Sequence, residues 1–249
     1  MQRLNVQGCG PRLRFVRPCR RTSCADIWGF EVMFDTANAR RLMVEGQIRT
    51  ADVTDLDLLA AMQSVPREQF LPPALAELAY VDKDIPVGAG RAMLKPMVLA
   101  KLIQAARVQK TDRVLDVACA TGYSTAVLAQ LAGSVVGLED NAEFAARAKK
   151  ALTAAGAAKA EVVVGPLTAG WPPAAPYDVI LMNGSTETVP ETLGGQLQPN
   201  GRLVGIYGPA HAAKAMIFHM IKGHLVGRPI FDAAAPLLPG FAAPPAFVF

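Results

Sequence analysis

The chain has 249 residues and about half of them are hydrophobic, which is enough to bury a core and excludes an intrinsically disordered protein. The formal net charge is +4, but residues 1–32 carry six arginines against two acidic residues, whereas the remaining residues carry 19 basic and 19 acidic side chains. The basic excess therefore belongs to the N-terminal segment, and it indicates no nucleic-acid-binding groove in the rest of the chain.

The N-terminal segment has no continuous apolar stretch of the kind found in a signal peptide. Hydrophobic periodicity begins only after Met33, so we interpret residues 1–32 as a disordered leader and 33–249 as one domain. The four cysteines show no zinc-binding spacing and no disulfide pattern, which fits a reducing compartment such as the cytoplasm. No segment predicts a membrane-spanning helix.

The first part of this domain, 33–106, predicts a helical cap followed by a loop. Asp35 or Thr36 is suited to cap the first helix, and Thr54 is suited to cap the second. Pro96 is suited to the first turn of a later helix. In chain order we expect helices over 36–49 and 54–64, a helical turn over 75–80, a loop over 81–95 and a helix over 96–106.

From residue 107 onwards, short apolar strands alternate with helical patterns, which predicts a doubly wound, mostly parallel α/β sheet of the Rossmann-like type. An antiparallel hairpin over 216–231 is expected to close the sheet around Lys222-Gly223-His224. The expected strands cover 113–119, 134–139, 161–165, 177–182 and 202–207, and the expected helices cover 123–132, 142–155 and 190–197.

Small residues follow the first strand of this predicted sheet, where open parallel sheets bind their ligands. They let the backbone turn tightly, and the helix behind them offers free N–H groups to an anion. Glu139 ends the second strand and is suited to accept hydrogen bonds from ribose hydroxyls; Asp140 could do the same, or either residue could cap the next helix. The residues assigned to the turn are Asp116, Ala118, Cys119, Ala120, Gly122 and Tyr123. The turn lacks the first two glycines of G-x-G-x-x-G, which argues against a dinucleotide.

Several motifs resemble the protein-L-isoaspartate O-methyltransferase family. They are VEGQIR at 44–49, VPREQFLP at 65–72, the turn motif at 116–123 and LQPNGRLV at 197–204. The resemblance covers most of residues 40–208. It implies the fold of the S-adenosylmethionine-dependent methyltransferases, with that compound as cofactor and its methionine carboxylate at the helix N-terminus, and it implies no metal.

The sequence departs from the family pattern at three places. The family's loop typically reads G-x-G-Q-T-I-S-Q-P, and here GAGRAMLKP puts Leu94 at the position of the serine that is usually called active. Ala118 and Ala120 stand where glycines are usual. Pro166, followed by Leu167, stands where an aspartate would bond the adenine amine, and proline offers neither that acceptor nor an N–H.

Other residues near this predicted site are candidates for substrate binding. Arg91 or Lys95 could hold a carboxylate, although both could equally be solvated loop charges. Asn183 ends the fourth strand and could bond substrate or cofactor, or it could be a turn residue. Cys119 could offer its backbone N–H to the cofactor, while its thiol suits a packing role.

The resemblance thus implies an enzyme that methylates the isoaspartyl carboxylate of damaged proteins. Methyl transfer to an ionised carboxylate needs no general base, so the missing serine would impair substrate positioning more than chemistry. The alternatives are a non-catalytic cofactor-binding relative and a methyltransferase for a different acid. We expect isoaspartyl proteins or peptides as partners, no nucleic acid, no membrane, a monomer and a cytoplasmic location.

Overall fold

The computed structural model describes residues 35–209 and 211–244. The predicted leader over 1–32 lies outside these residues. Nine strands occur in the described part of the chain: β1 (Ile85–Gly88), β2 (Arg91–Met93), β3 (Arg113–Val117), β4 (Ser134–Glu139), β5 (Ala160–Val164), β6 (Tyr177–Thr186), β7 (Leu197–Tyr207), β8 (Lys214–Ile221) and β9 (His224–Asp232).

Strands β3 to β9 form one sheet in the order β5-β4-β3-β6-β7-β8-β9. The neighbouring pairs from β5 to β7 are parallel, whereas β8 and β9 join antiparallel. This confirms the predicted α/β fold with a mostly parallel sheet and a closing antiparallel hairpin. The strand order reverses beside β3, so a ligand is expected beyond the carboxyl ends of β3 and its neighbours.

Helices accompany the strands on both sides of the sheet, as parallel crossovers require. Val114 belongs to one apolar cluster, and its neighbours Leu115 and Val117 belong to the other, so β3 is buried on both faces. The helices are α1 (Thr36–Met43), α2 (Leu56–Ser64), α3 (Pro96–Ala106), α4 (Tyr123–Leu131), α5 (Ala142–Ala154) and α6 (Glu191–Gly194). None of the helices among residues 35–209 and 211–244 is long and apolar enough to cross a membrane.

The helix ends show how local side chains set the boundaries. Asp35 caps α1, as expected, by accepting the Asn38 N–H at 3.0 Å. Asp55, not the predicted Thr54, caps α2, because its carboxylate accepts the Leu58 N–H at 3.1 Å. The helix expected over 36–49 continues beyond α1 as a π-helical turn, Val44–Ile48, and a 3₁₀ turn, Arg49–Ala51.

The segment 81–95 was predicted as a loop, and this prediction was wrong, because β1 and β2 pair there as a separate antiparallel hairpin. Its turn passes through Gly88, Ala89 and Gly90, all with positive φ (112°, 48° and 71°). Two strands of four and three residues are too short to show a clear alternating pattern in sequence. This hairpin places Arg91 and the residues after it close to the carboxyl end of the main sheet.

Candidate cofactor and active site

The turn between β3 and α4 forms the floor of the candidate site. Ala118, Ala120 and Gly122 all have positive φ (64°, 47° and 92°), so the two alanines adopt a conformation that favours glycine. Such a residue costs roughly 1–3 kcal/mol and persists only where its surroundings hold it. The turn therefore keeps a tight, glycine-like path although two of the family's glycines are absent.

Backbone hydrogen bonds fix this turn. The N–H groups of Ala118 and Cys119 both donate to the Leu138 carbonyl, at 2.8 and 3.2 Å. Because the Cys119 N–H already has this partner, it is less suited to the cofactor role considered for it. Burial raises the pKa of the Cys119 thiol well above its usual range, and an uncharged thiol fits a packing role. The first helical hydrogen bond of α4 runs from the Ala126 N–H to Gly122. The N–H groups over 123–125 thus have no partner within the helix, which suits an anionic group.

Asp116 lies beneath this turn and is fully buried. Its carboxylate accepts hydrogen bonds from the hydroxyls of Ser124 (2.7 Å) and Thr125 (2.6 Å) and from the Asn183 amide. Burial raises the pKa of Asp116 to about 6, while the bonds from Thr125, Ser124 and Asn183 oppose the shift. The carboxylate thus connects β3, α4 and β6, and a direct cofactor contact by Asp116 stays a prediction.

The same contact determines the orientation of Asn183. A carboxylate only accepts hydrogen bonds, so the Asn183 NH₂ must face Asp116, and its carbonyl oxygen is directed to the other side. Asn183 lines a small cavity together with Leu94, Tyr123 and Ser124. It therefore presents an acceptor, which suits an ammonium or N–H group better than a second carboxylate.

Glu139 ends β4 as predicted, and its side chain is fully enclosed, with 0 % exposure. It accepts hydrogen bonds from the N–H groups of Ala120 (2.7 Å) and Asn141 (3.2 Å). Asn141 caps α5, which leaves neither Glu139 nor Asp140 in the alternative role of helix cap. Burial raises the pKa of Glu139, and the guanidinium of Arg91 opposes this shift.

Arg91 forms an ion pair with the protein's own carboxylates. Its Nη2 lies 2.6 Å from Glu139 Oε1 and 3.1 Å from Asp140 Oδ1, and its side chain is 4 % exposed. Its Nη1 is buried and has no hydrogen-bond partner among the described residues. The alternative of a solvated loop charge does not describe Arg91, while its assignment to the substrate stays a prediction.

The position of the family serine lies at the edge of the small cavity. Leu94 is buried and lines this cavity of about 20 Å³. The Lys95 N–H donates to Asp84 at 2.7 Å, and the Lys95 ammonium forms no ion pair within the described ranges. Pro166 follows β5 with Leu167 buried behind it. The binding roles predicted for these residues stay predictions.

Sequence reasoning assigned no role to Arg67, although it lies in the VPRE motif. Arg67 is fully buried, and it donates to the carbonyls of Ala79 (2.7 Å) and Leu94 (2.6 Å). Its guanidinium also lies 4.7 Å from the centre of the Tyr123 ring. Arg67 therefore holds the segment that carries Leu94 against the N-terminus of α4. Its place in the VPRE motif was the signal that the sequence offered, because its burial is visible only in the structure.

The fold and this site define a Rossmann-like domain with an acidic residue at the end of the second parallel strand, which is a nucleoside-binding arrangement. A sequence model described as Protein-L-isoaspartate(D-aspartate) O-methyltransferase (PCMT) matches residues 38–225. The chain belongs to this family.

Curated relatives agree. A protein-L-isoaspartate O-methyltransferase of Methanoculleus marisnigri is 41 % identical over 170 residues, which cover 68 % of this chain and 77 % of the relative. One from Methylorubrum extorquens is 42 % identical over 175 residues, covering 70 % and 76 %. One from Ignicoccus hospitalis is 39 % identical over 205 residues, covering 80 % and 94 %.

Solved structures show the same fold. A protein-L-isoaspartate O-methyltransferase superposes with a TM-score of 0.70 at 24 % identity, covering 81 % of this chain and 66 % of that one. A putative family member from Plasmodium falciparum, solved in complex with S-adenosyl-L-homocysteine, gives a TM-score of 0.69 at 18 % identity, covering 80 % and 97 %.

Proposed function

We propose that this protein is a protein-L-isoaspartate O-methyltransferase, which transfers a methyl group from S-adenosylmethionine to an isoaspartyl carboxylate in damaged proteins. The family match over residues 38–225 is the observation that carries the proposal. The curated relatives are named for this activity, and nothing in the comparisons favours the non-catalytic alternative.

The residues of the site fit the cofactor in chemistry. Glu139 supplies a carboxylate for ribose hydroxyls, and the N-terminus of α4 supplies N–H groups for a carboxylate. The tight turn through Ala118 and Ala120 supports close approach of a ligand to the backbone. Pro166 departs from this pattern, because it offers no acceptor to an adenine amine.

The chemistry requires positioning more than proton transfer. Bound S-adenosylmethionine would supply a sulfonium methyl group. As a carboxylate oxygen bonds to the methyl carbon, the S–CH₃ bond would break with its electron pair left on sulfur in S-adenosylhomocysteine, and no base is needed because the carboxylate is already ionised. The protein must hold the acceptor carboxylate in line and exclude water. Leu94 supports exclusion of water but offers no hydrogen bond, so we expect weak substrate orientation. Lys95 is the nearby cation that could compensate.

The proposal is tested by transfer of labelled methyl to an isoaspartyl peptide, with the same peptide containing ordinary aspartate as the control. We expect base-labile methyl ester on the isoaspartyl peptide alone. Cofactor binding without transfer to any acid would contradict the proposal and favour the non-catalytic relative. Transfer to a different acid alone would favour the other alternative.

We further propose that the protein acts as a monomer in the cytoplasm, as the sequence predicts. Size-exclusion chromatography with light scattering should give the mass of one chain, 26.4 kDa. A mass of two chains or more at micromolar concentration would contradict a monomer.

A further inference from the structure

The ion pair between Arg91 and Glu139 joins the β1–β2 hairpin to the residue that we assign to the cofactor ribose. Arg91 is the first residue of β2, and Glu139 is the last residue of β4, 48 positions later. Both side chains are almost fully enclosed, at 4 % and 0 % exposure. A polar group of a ligand therefore cannot reach Glu139 while Arg91 stays in place.

Both carboxylate oxygens of Glu139 already accept hydrogen bonds from the protein. Oε1 accepts from Arg91 and from the Asn141 N–H, and Oε2 accepts from the Ala120 N–H. A ribose diol binds a carboxylate best when both oxygens are free to accept. Neither Arg91 nor Glu139 lines the small cavity at Leu94, but Ala92 and Ala120, next to this ion pair in the chain or bonded to it, do. That cavity measures only about 20 Å³, whereas sites for small molecules and cofactors measure several hundred.

The element that carries Arg91 is suited to move. Within the described residues, the β1–β2 hairpin forms a two-stranded sheet of its own, so no third strand holds its tip. Its turn contains Gly88 and Gly90 at positive φ, and no atom lies within 4 Å of a Cβ built on Gly90, so this side of the turn is open. Ile85, Val87 and Met93 are packed in the core, and a Cβ on Gly88 would lie 3.7 Å from Phe144. The motion is therefore confined to residues 88–91, the turn and Arg91 itself.

The geometry points to Arg91 as a latch that competes with the cofactor for Glu139. This inference rests on the proposed function, because it takes Glu139 as the ribose acceptor. In the closed form Arg91 holds Glu139 and Asp140. Opening breaks both ion pairs and exposes the carboxylate to the ligand. The measured association constant is then the association constant of the open form multiplied by the fraction of molecules that are open.

The test measures S-adenosylhomocysteine binding by calorimetry to the full chain and to Arg91→Gln, which carries the amide found at this place in the family motif. Removal of the latch should tighten binding by about tenfold. Arg49→Gln is the matched control, because Arg49 forms an exposed ion pair with Glu45 elsewhere (50 % and 48 % exposed) and should leave affinity unchanged.

Arg91→Lys protects the test against loss of folding, because it keeps a positive charge beside Glu139. Arg91 holds both carboxylates through Nη2 alone, and a lysine ammonium is more strongly hydrated than a guanidinium and therefore costs more to bury there. The affinity of Arg91→Lys for S-adenosylhomocysteine should therefore lie between those of the wild type and Arg91→Gln. Melting temperatures without ligand verify that each variant is folded.

The outcomes separate this inference from the proposed function. Equal or weaker binding by Arg91→Gln overturns the latch. Weaker binding would further indicate that Arg91 donates to the ligand, for which its unpaired Nη1 is placed. Tighter binding without methylation of an isoaspartyl peptide by any variant supports the latch and overturns the proposed activity. Binding by neither the wild type nor the variants overturns both.

Discussion

Glu139 is the residue on which the candidate site depends most. It is enclosed, it fixes the turn through the Ala120 N–H, and it pairs with Arg91. In many proteins such a residue would be purely structural. Its place at the carboxyl end of β4, next to the strand where the chain order reverses, favours a second role in binding a nucleoside.

We predict that Glu139→Ala weakens S-adenosylhomocysteine binding by ~1–3 kcal/mol, roughly five- to 150-fold, because ribose hydroxyls lose a charged acceptor. Calorimetry measures the change. Glu161→Ala, an exposed position in β5, is the control and should bind normally. Unchanged affinity in a folded Glu139→Ala variant would show that Glu139 does not bind the ribose. The ribose contact would then be assigned to Asp140, or no ribose contact would be assigned to this site.

Leu94 is the second position at which a single side chain should change the activity. Leu94→Ser places a hydroxyl at the edge of the cavity, and a hydrogen bond to a charged group contributes roughly 1.5–3 kcal/mol. We therefore expect kcat/KM for an isoaspartyl peptide to rise about ten- to a hundredfold. Removing the buried leucine should also destabilise the fold by ~2–4 kcal/mol, so assays belong well below the melting temperature.

Leu94→Ala separates the two effects of that change, because it opens the same space without adding a donor. A smaller gain for alanine than for serine assigns the difference to the hydroxyl. If cofactor binds and neither variant methylates the isoaspartyl peptide at a detectable rate, positioning at residue 94 is not the limiting step.

At the scale of elements, Asp116 connects β3, the first turn of α4 and the end of β6 through three hydrogen bonds. Burial raises the pKa of Asp116 from 3.8 to about 6 in the folded state. Between these two values the folded protein keeps a proton that the unfolded chain has lost. The contribution of Asp116 to stability is therefore greatest below this window and falls as the pH rises through it.

We compare the melting temperature of the wild type with that of Asp116→Asn between pH 4 and pH 7. We predict that the value for the wild type minus the value for the variant decreases as the pH rises. The variant cannot titrate at this position, and all other groups are shared, so the difference isolates Asp116. Scanning calorimetry at several pH values measures it. A difference that stays constant, or that grows with pH, would show that the carboxylate is ionised throughout.

The β8–β9 hairpin turns on two residues, Lys222 and Gly223, with φ of 51° and 85°. Positive φ at both positions is the geometry of a type I′ turn, for which glycine is favoured. We predict that Gly223→Ala lowers the stability by about 1 kcal/mol, measured as the free energy of unfolding in urea.

Gly46→Ala is the matched control for this turn. Neither Gly46 nor Gly223 has an atom within 4 Å of an added Cβ, but only Gly223 has a positive φ. Gly46→Ala should be neutral or stabilising. Equal losses at the two positions would assign the cost to something other than the backbone conformation.

At the scale of the whole molecule, the sequence predicted the sheet well because its strands are buried on both faces and its helices are periodic. The prediction ended β6 at Met182, whereas the strand continues to Thr186, because the polar Asn183 interrupts an apolar run. The β1–β2 hairpin was missed for lack of length. The contact between Arg91 and Glu139 joins residues that no local pattern relates, so only the folded chain places them together.

The candidate site is built from four parts of the chain, the β1–β2 hairpin, the ends of β3 and β4, and β6. A ligand that contacts all of them should stabilise the whole fold by mass action. At a hundred times Kd this amounts to about 2.7 kcal/mol, or roughly 5–10 °C in melting temperature for a domain of this size. We therefore predict a rise of this order with saturating S-adenosylhomocysteine, measured by scanning calorimetry. Adenosine and methionine, added separately at the same concentration, should each give a smaller rise, because each contacts only part of the site. No shift with S-adenosylhomocysteine at millimolar concentration would show that the folded chain does not bind the nucleoside, and it would contradict the proposed function at its first step.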